Sequence, residues 1–217
     1  MSFAPEGWPF VVPFVVAGAV LGWLGMPWAM LAVLGVGVLV LLFFRDPHRT
    51  FEGDADVILS AADGRVIGVE WLEDGEVAPG QLLRIATFLS VFDVHVQRSP
   101  TTGEVVLSAG KRGRKLAAFD PRAAALNESH LTVLRQQDGS LVGVRQIAGL
   151  VARRVVHYLD RGDRVRRGEH LGIIKFGSRV DLLLPPGYEP LVERGQSVRA
   201  GLTPMARPGP GTVGEGG

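Results

Sequence analysis

The chain has 217 residues, 47% of them hydrophobic, and a formal net charge of +1 at pH 7. It contains no cysteine, which excludes a disulfide framework, a thiolate nucleophile and a cysteine-based metal site. The small net charge points to no particular charged partner, and the length allows one medium domain with an appendage.

An uncharged stretch from Gly7 to Phe44 is the first feature along the chain. As one helix it would be about 57 Å long, nearly twice the roughly 30 Å hydrocarbon core of a bilayer. Gly25-Met26-Pro27 interrupts it, so residues 1–44 are predicted to form a hydrophobic helical hairpin of residues 9–24 and 27–44. Such a hairpin would either cross the membrane twice or enter it as a tight re-entrant turn. A cleaved signal peptide is the alternative, but no basic residue precedes the apolar stretch.

Basic residues follow this hydrophobic stretch directly: Arg45, His48 and Arg49. Because basic flanks tend to stay in the cytoplasm, the rest of the chain is expected on the cytoplasmic side of the cell membrane.

The remainder is predicted to be mainly β, a β-rich α+β soluble domain over residues 45–203. Short apolar segments alternate with turn signals such as Asp63-Gly64 and Asp138-Gly139. The predicted strands are residues 57–60, 65–70, 82–88, 91–97, 103–107, 129–135, 141–146, 151–158, 171–175 and 180–184. Residues 204–217 are rich in proline and glycine and are predicted to be a disordered tail.

The pair Gly177-Ser178 separates the last two predicted strands, which indicates a β-hairpin with Ser178 at its tight turn. A Gly-Ser pair at a turn is most often purely structural.

Two further residues have the chemical types that would accompany a nucleophilic serine. His95 lies in a segment predicted to be a strand, where alternation would put it on one face with Asp93 and Gln97. Asp63 belongs to an Asp-Gly turn between two strands. Their sequence positions leave open whether Asp63, His95 and Ser178 meet.

The order of five short motifs resembles the short form of the phosphatidylserine decarboxylase proenzymes, over about residues 43–185. The motifs are Phe44-Arg45-Asp46-Pro47, Ala62-Asp63-Gly64-Arg65-Val66, Asp93-Val94-His95-Val96-Gln97-Arg98-Ser99-Pro100, Asn127-Glu128 and Phe176-Gly177-Ser178. Each motif alone is weak, whereas the ordered set is specific.

The resemblance implies a self-processing, pyruvoyl-dependent enzyme that converts phosphatidylserine in the membrane to phosphatidylethanolamine. Cleavage between Gly177 and Ser178 would leave a heterodimer of a β chain, residues 1–177, and an α chain, residues 178–217, with Ser178 converted to the pyruvoyl group. His95 would be the base, oriented by Asp63. A higher oligomer is possible, and no nucleic-acid partner is implied.

The chain departs from the longer members of the family, which carry Leu-Gly-Ser-Thr at the processing site and a second histidine three positions after the first. Here the corresponding residues are Phe-Gly-Ser-Arg and Arg98. Whether His95 serves both processing and decarboxylation therefore stays open. Arg98 could instead bind the substrate's carboxylate or phosphate, and Lys111, in a basic run over residues 111–115, could attract anionic lipid.

A second function remains possible because residues 161–174 resemble the hairpins of lipoyl-like and biotinyl-like domains. The chain would then be a membrane-anchored carrier or adaptor without catalysis. Carriers present a modifiable lysine at an exposed hairpin tip, whereas Lys175 lies in an apolar run. No cluster of histidines and carboxylates has the spacing of a metal site.

Overall fold

The computed structural model describes residues 2–73, 76–114, 116–118, 120, 122–150, 155–175 and 177–209. The chain divides into two compact units, Met1–His48 and Arg49–Gly217. The predicted boundary lies after residue 44.

The first unit contains two apolar helices, α1 (Trp8–Trp23) and α2 (Pro27–Phe43). The chain reverses between them at Gly25, whose φ of +73° is in the left-handed region that glycine tolerates. The predicted helical hairpin is therefore confirmed. Helical structure extends over Pro5–Trp23, 19 residues with a mean hydropathy of 1.4, which by length and composition is enough to cross a membrane, whereas α2 is shorter.

The two helices approach closely through small residues. A Cβ atom added at Gly18 of α1 would lie 2.6 Å from Cδ2 of Leu34 on α2, so only glycine allows this separation. A two-stranded pairing of β1 (Ser2–Phe3) with β2 (Arg45–Asp46) completes the unit.

The described residues of the second unit form strands and one short helix, α3 (Ala123–Leu126), which confirms the mainly β prediction. The strands are β3 (Ile58–Leu59), β4 (Gly64–Glu73), β5 (Gln81–Leu89), β6 (Val96–Arg98), β7 (Gly103–Lys111), β8 (Ser129–Arg135), β9 (Leu141–Ile147), β10 (Val155–His157), β11 (Arg164–Val165), β12 (His170–Ile174), β13 (Ser178–Leu184), β14 (Tyr188–Pro190), β15 (Ser197–Val198) and β16 (Pro204–Pro208).

These strands form one large antiparallel sheet and two small ones. The large sheet has eight strands in the order β11-β7-β8-β9-β13-β5-β4-β15, and the small sheets have the orders β10-β12-β6 and β14-β16-β3. All seven residues of β13 are buried, because the strand lies between β9 and β5 and both of its faces are covered.

The main hydrophobic core lies between one face of the large sheet and the two small sheets. Leu83, Ile85, Val144 and Leu182 contribute from the large sheet, and Ile174 contributes from a small one. Apolar side chains of β13 and its neighbours thus alternate toward this core, as expected for a sheet with a buried face.

The strands that flank Ser178 do not form the predicted hairpin. Strand β12 pairs with β10 and β6, whereas β13 pairs with β5 and β9, so the chain changes sheets at Gly177. Ser178 is the first residue of β13 and not a turn residue.

Two other predictions are also wrong. Of the strand predicted over residues 91–97, only residues 96 and 97 belong to a strand, β6, so alternation along a strand does not place Asp93 and His95. Residues 204–208 are not a disordered tail but form β16, which pairs with β14 and β3 because Met205 and Ala206 are buried in the core. Residues 210–217 lie outside the described residues.

Two stacked histidines form a contact between the large sheet and the small β10-β12-β6 sheet. The ring of His130 on β8 stacks on that of His157 on β10, with centroids 4.1 Å apart, and its Nε2 lies 3.0 Å from Oγ of Ser108. Ser108 donates its own proton to the carbonyl of Leu159, so its Oγ accepts from His130. Burial, helped by nearby His157 and opposed by Asp160, lowers the pKa of His130 to about 4.

This lowered pKa predicts a loss of stability in acid. Unfolded His130 takes up a proton near pH 6.5 and folded His130 only near pH 4, so the unfolded state binds more protons between these values. Stability from this residue therefore falls as the pH falls from 6.5 to 4. In His130→Gln, which does not titrate, we expect the drop in melting temperature over this window to be smaller than in wild type. The exposed His170→Gln is the control, and equal drops in wild type and His130→Gln would contradict the assignment.

Candidate active site

Six neighbouring strands of the large sheet have their ends side by side, along the border of the sheet that runs across the strands. Strand pairing places Lys111, Ser129, Ile147, Arg179, Phe88 and Arg65 in a single row across β7, β8, β9, β13, β5 and β4. The residues just beyond this row therefore share an edge, which we call the site edge. Gly177 and Asp63 both lie there, because each immediately precedes a strand that starts at this edge.

The Gly177-Ser178 peptide occupies the site edge at the head of β13. Gly177 has a φ of +47°, in the left-handed region. Ser178 is fully buried, and its Oγ atom has no hydrogen-bond partner among the described residues. A buried hydroxyl without a partner costs about 1–3 kcal/mol, which is expected where the group has a chemical role.

The backbone of Gly149 lies close to the carbonyl of Gly177. A Cβ atom added at Gly149, just after β9, would lie 3.0 Å from the Gly177 carbonyl carbon and would overlap its oxygen. Asn127 positions this segment, since its Nδ2 donates 2.8 Å hydrogen bonds to the carbonyls of Ala148 and Leu116. The sequence motif containing Asn127 thus has a structural role, whereas no sequence motif singled out Gly149.

His95 is fully buried and lies beside the strand that leads to Ser178. The amide of Ile174, on β12, points to its carbonyl at 3.4 Å. The imidazole Nδ1 is 2.9 Å from the carbonyl oxygen of Asp93. Because a carbonyl only accepts, Nδ1 carries the proton of the neutral ring, and Nε2 is its basic nitrogen.

Two buried glutamines extend this arrangement. Gln97 donates to the carbonyl of His95 at 2.7 Å and accepts from Gln146 at 2.9 Å. The backbone of His95 is thereby tied to β9 in the large sheet. Sequence reasoning placed Gln97 on the face of His95 but missed Gln146, which is 49 residues further along the chain.

Asp63 is held by a buried ion pair. Both of its oxygens accept from the guanidinium of Arg49, Oδ2 at 2.8 Å, and Oδ1 also accepts from the amide of Ala200 at 2.8 Å. Arg49 donates in addition to the carbonyl of Ala200 at 2.8 Å. The hydrogen bonds of Asp63 within the described part of the chain thus go to these groups and not to an imidazole.

The backbone nevertheless brings the segment of Asp63 near that of His95. The amide of Leu59 donates to Pro100, and that of Arg98 donates to Ala61, so residues 59–61 run alongside residues 98–100. The three predicted catalytic positions therefore lie on neighbouring segments. No described hydrogen bond joins Asp63 to Ser178.

The two predicted substrate-binding residues differ in exposure. Arg98 is 7% exposed, and its Nη1 donates to the carbonyl of Gly168 at 2.9 Å. Lys111 is exposed at the site edge, with its Nζ 3.0 Å from the carbonyl of Ala125.

Arg179 and Asp181 form a bidentate ion pair on the face of β13 opposite Ser178. The two contacts are 2.6 and 2.9 Å, and Asp181 is fully buried. Burial raises the pKa of Asp181, while the guanidinium of Arg179 opposes the shift. The pair fixes the residue that directly follows the Gly177-Ser178 peptide.

A cavity of about 710 Å³ opens beside Asp63 at the site edge. Its charged and polar lining includes Arg65, Arg199, Ser90 and Asp93, but His95 and Ser178 are not part of it. Among the described residues, no group of three or more histidine and carboxylate side chains could hold a metal ion.

The strand-rich second unit thus buries a serine directly after a left-handed glycine, and it also buries His95. The family model for phosphatidylserine decarboxylase matches residues 36–206, and the chain belongs to this family.

Several curated relatives are named phosphatidylserine decarboxylase proenzyme. The chain is 43% identical to the one from Gluconobacter oxydans, over 90% of this chain and 91% of that protein. It is 44% identical to the one from Symbiobacterium thermophilum, over 94% of both chains, and 42% identical to that of Ralstonia nicotianae, over 94% of both. Family membership favours the enzyme over the lipoyl-like carrier.

The contact between Gly149 and Gly177 predicts that Gly149→Ala slows the self-cleavage that the sequence motifs imply. Its methyl group would displace the Gly177 carbonyl, and we expect cleavage to slow by about tenfold or more, the effect of about 1.4 kcal/mol on the barrier. The cleaved fraction is measured by intact mass after purification. Gly110→Ala is the matched control, because its Cβ would come no closer than 3.5 Å to its nearest described neighbour. Normal cleavage of Gly149→Ala would refute this role.

Because Asp63 and Arg49 form an ion pair, we predict that the losses of stability caused by mutating them are strongly non-additive. The two side chains are 11% and 7% exposed, and removing one member of a buried pair typically costs about 3–5 kcal/mol. We expect Asp63→Ala and Arg49→Met each to lower the melting temperature by about 6–12 °C. The double variant should be little worse than either single variant. Additive losses would show that the two residues stabilise the protein independently.

Proposed function

We propose that this protein decarboxylates phosphatidylserine to phosphatidylethanolamine with a pyruvoyl group that it makes from its own Ser178. The observation that carries the proposal is the buried hydroxyl of Ser178, which has no hydrogen-bond partner among the described residues and directly follows a glycine in the left-handed conformation. Membership of the phosphatidylserine decarboxylase family supports the same reaction.

The processing chemistry begins with attack of Ser178 Oγ on the carbonyl carbon of Gly177. The bond from that carbon to the Ser178 nitrogen breaks, and an ester joins the two residues. Loss of the Ser178 α-proton then cleaves the Cβ–Oγ bond, leaving a carboxylate on Gly177 and dehydroalanine at position 178. Addition of water and release of ammonia give the pyruvoyl end of the α chain.

His95 is the base in this proposal. Its Nδ1 proton is directed to the carbonyl of Asp93, so Nε2 is the basic nitrogen of the neutral ring and would take the proton from the hydroxyl. Asp63 would act through the backbone it anchors, because its carboxylate is bound by Arg49 and the amide of Ala200.

The residues at the head of β13 fit a pyruvoyl group. Ser178 pairs with Leu89 across the sheet, and Arg179 is held by Asp181, so the end of the α chain stays in place after cleavage. The group would supply an electron sink for the electron pair left behind when carbon dioxide departs. His95 would return a proton to the carbon that lost the carboxylate, and Arg98 or Lys111 would bind the anionic head group.

The β and α chains would remain together as a heterodimer. Four strands lie after the cut, and three of them pair with strands that precede it: β13 with β5 and β9, β15 with β4, and β16 with β3. Separation of the chains would therefore disrupt the large sheet, the small β14-β16-β3 sheet and the core between them.

Location at the cell membrane, with the second unit on the cytoplasmic side, is part of the proposal. The helical segment Pro5–Trp23 is long and apolar enough to cross a membrane, and Arg45 and His48 follow the hydrophobic stretch.

Intact mass of the purified protein tests the processing step without substrate. We expect two chains in wild type, the smaller about 17 Da lighter than a peptide with an amine-terminated Ser178, since one ammonia has been lost. Ser178→Ala should remain one chain of 23.3 kDa, and Ser99→Ala, at another buried serine, should cleave normally. The cleaved protein should release carbon dioxide from phosphatidylserine. A single uncut chain in wild type would overturn the proposal.

A further inference from the structure

The loops at the site edge combine exposed apolar side chains with basic ones. Phe92 is 83% exposed and Leu150 is 66% exposed, the two highest values for a large apolar side chain among the described residues of the second unit. Both follow strands that end at this edge, β5 and β9. Val91, beside Phe92, is 49% exposed, and Leu126, just before β8, is 37% exposed.

Basic residues border these apolar tips. Lys111, Arg112 and Arg114 are exposed where β7 ends, and Arg65 and Arg199 are exposed around the cavity beside Asp63.

The acidic groups at this edge are fewer and are mostly engaged. Asp63 is paired with Arg49, Asp120 is paired with Arg122, and Asp93 accepts two hydrogen bonds from Ser90. Glu128 is half-buried. The site edge is therefore positive as well as apolar.

We propose that the site edge docks on an anionic lipid bilayer, with Phe92, Val91 and Leu150 inserted at the level of the head groups. Separate apolar tips surrounded by cations are suited to shallow insertion into an interface that is apolar below and anionic above. This inference rests on the proposed function, because the amine of a membrane lipid must come to Ser178 at the same edge. The second unit also begins there, since its first residue, Arg49, is bound to Asp63.

Because the chain contains no cysteine, a single introduced cysteine can be labelled specifically. Single variants Phe92→Cys and Leu150→Cys of the full chain are labelled with a polarity-sensitive fluorophore and reconstituted in vesicles of equal parts phosphatidylcholine and phosphatidylglycerol. Gln137→Cys is the control, because Gln137 is exposed in the β8–β9 turn at the opposite edge. We expect a blue-shifted emission and quenching by brominated acyl chains at positions 92 and 150 but not at 137.

Two outcomes of this experiment would overturn docking on the bilayer. Labels at 92 and 150 that resemble the label at 137 would show that the edge remains in water. A blue shift without quenching by brominated lipid would show that the apolar tips are covered by protein, such as a second copy of the chain.

A functional variant separates docking from catalysis. Phe92→Asp should cleave itself normally and decarboxylate monomeric short-chain phosphatidylserine within about twofold of wild type, but act at least about tenfold more slowly on phosphatidylserine in vesicles. Gln137→Asp should match wild type on both substrates. Equal losses on both substrates would place Phe92 in the reaction itself and overturn the docking role. If wild type cleaves itself but acts on neither substrate, the proposed function fails, while the quenching pattern still decides whether the edge inserts.

Discussion

Two features fix the position of the Gly177 carbonyl: the left-handed conformation of Gly177 itself and the close approach of Gly149. The rest of the site depends on this position. The contact exists only because β9 ends where β13 begins, with Asn127 holding the residue in between. Because protein interiors are close-packed and allow little displacement, the Ser178 hydroxyl stays close to the one peptide bond it is proposed to attack.

The two faces of β13 carry different parts of the site. Ser178 lies on the same face of β13 as Val180 and Leu182, which pack in the main core, and its side chain is fully buried. Arg179 and Asp181 form their ion pair on the other face. A buried pair of this kind is seldom a large net source of stability, but it costs much when broken, and so it fixes the register of the strand.

The parts of the fold that depend on local sequence were predictable. The helical hairpin follows from an uncharged stretch interrupted by Gly25 and Pro27, and the strand Ser129–Arg135 was predicted with its observed bounds. The pairing of β13 was not predictable, because its partners β5 and β9 are distant in sequence and adjacency along the chain favoured β12. Val91 and Phe92 have high β propensity, yet they lie in a turn, and no described strand pairs with them.

The candidate site shows the same limit. The ordered motifs drew attention to Asp63, His95 and Ser178, and the structure places them on neighbouring segments. The partners of Asp63 could not be read from its Asp-Gly turn, because Ala200 is 137 residues away and Arg49 stands in a segment that the sequence marks only as a basic flank. Gly149 is one of 29 glycines, and only the backbone it approaches distinguishes it.

The position of Ser178 at the head of a fully buried strand has a consequence for quality control. Its neighbours come from residues far apart in the chain, so the proposed rearrangement can proceed only after the sheet is assembled. A molecule that does not complete folding would retain an unprocessed Ser178 and remain inactive. Cleavage would therefore occur only in molecules that have folded. Because each polypeptide can make its prosthetic group only once, a damaged group could be replaced only by synthesis of a new chain.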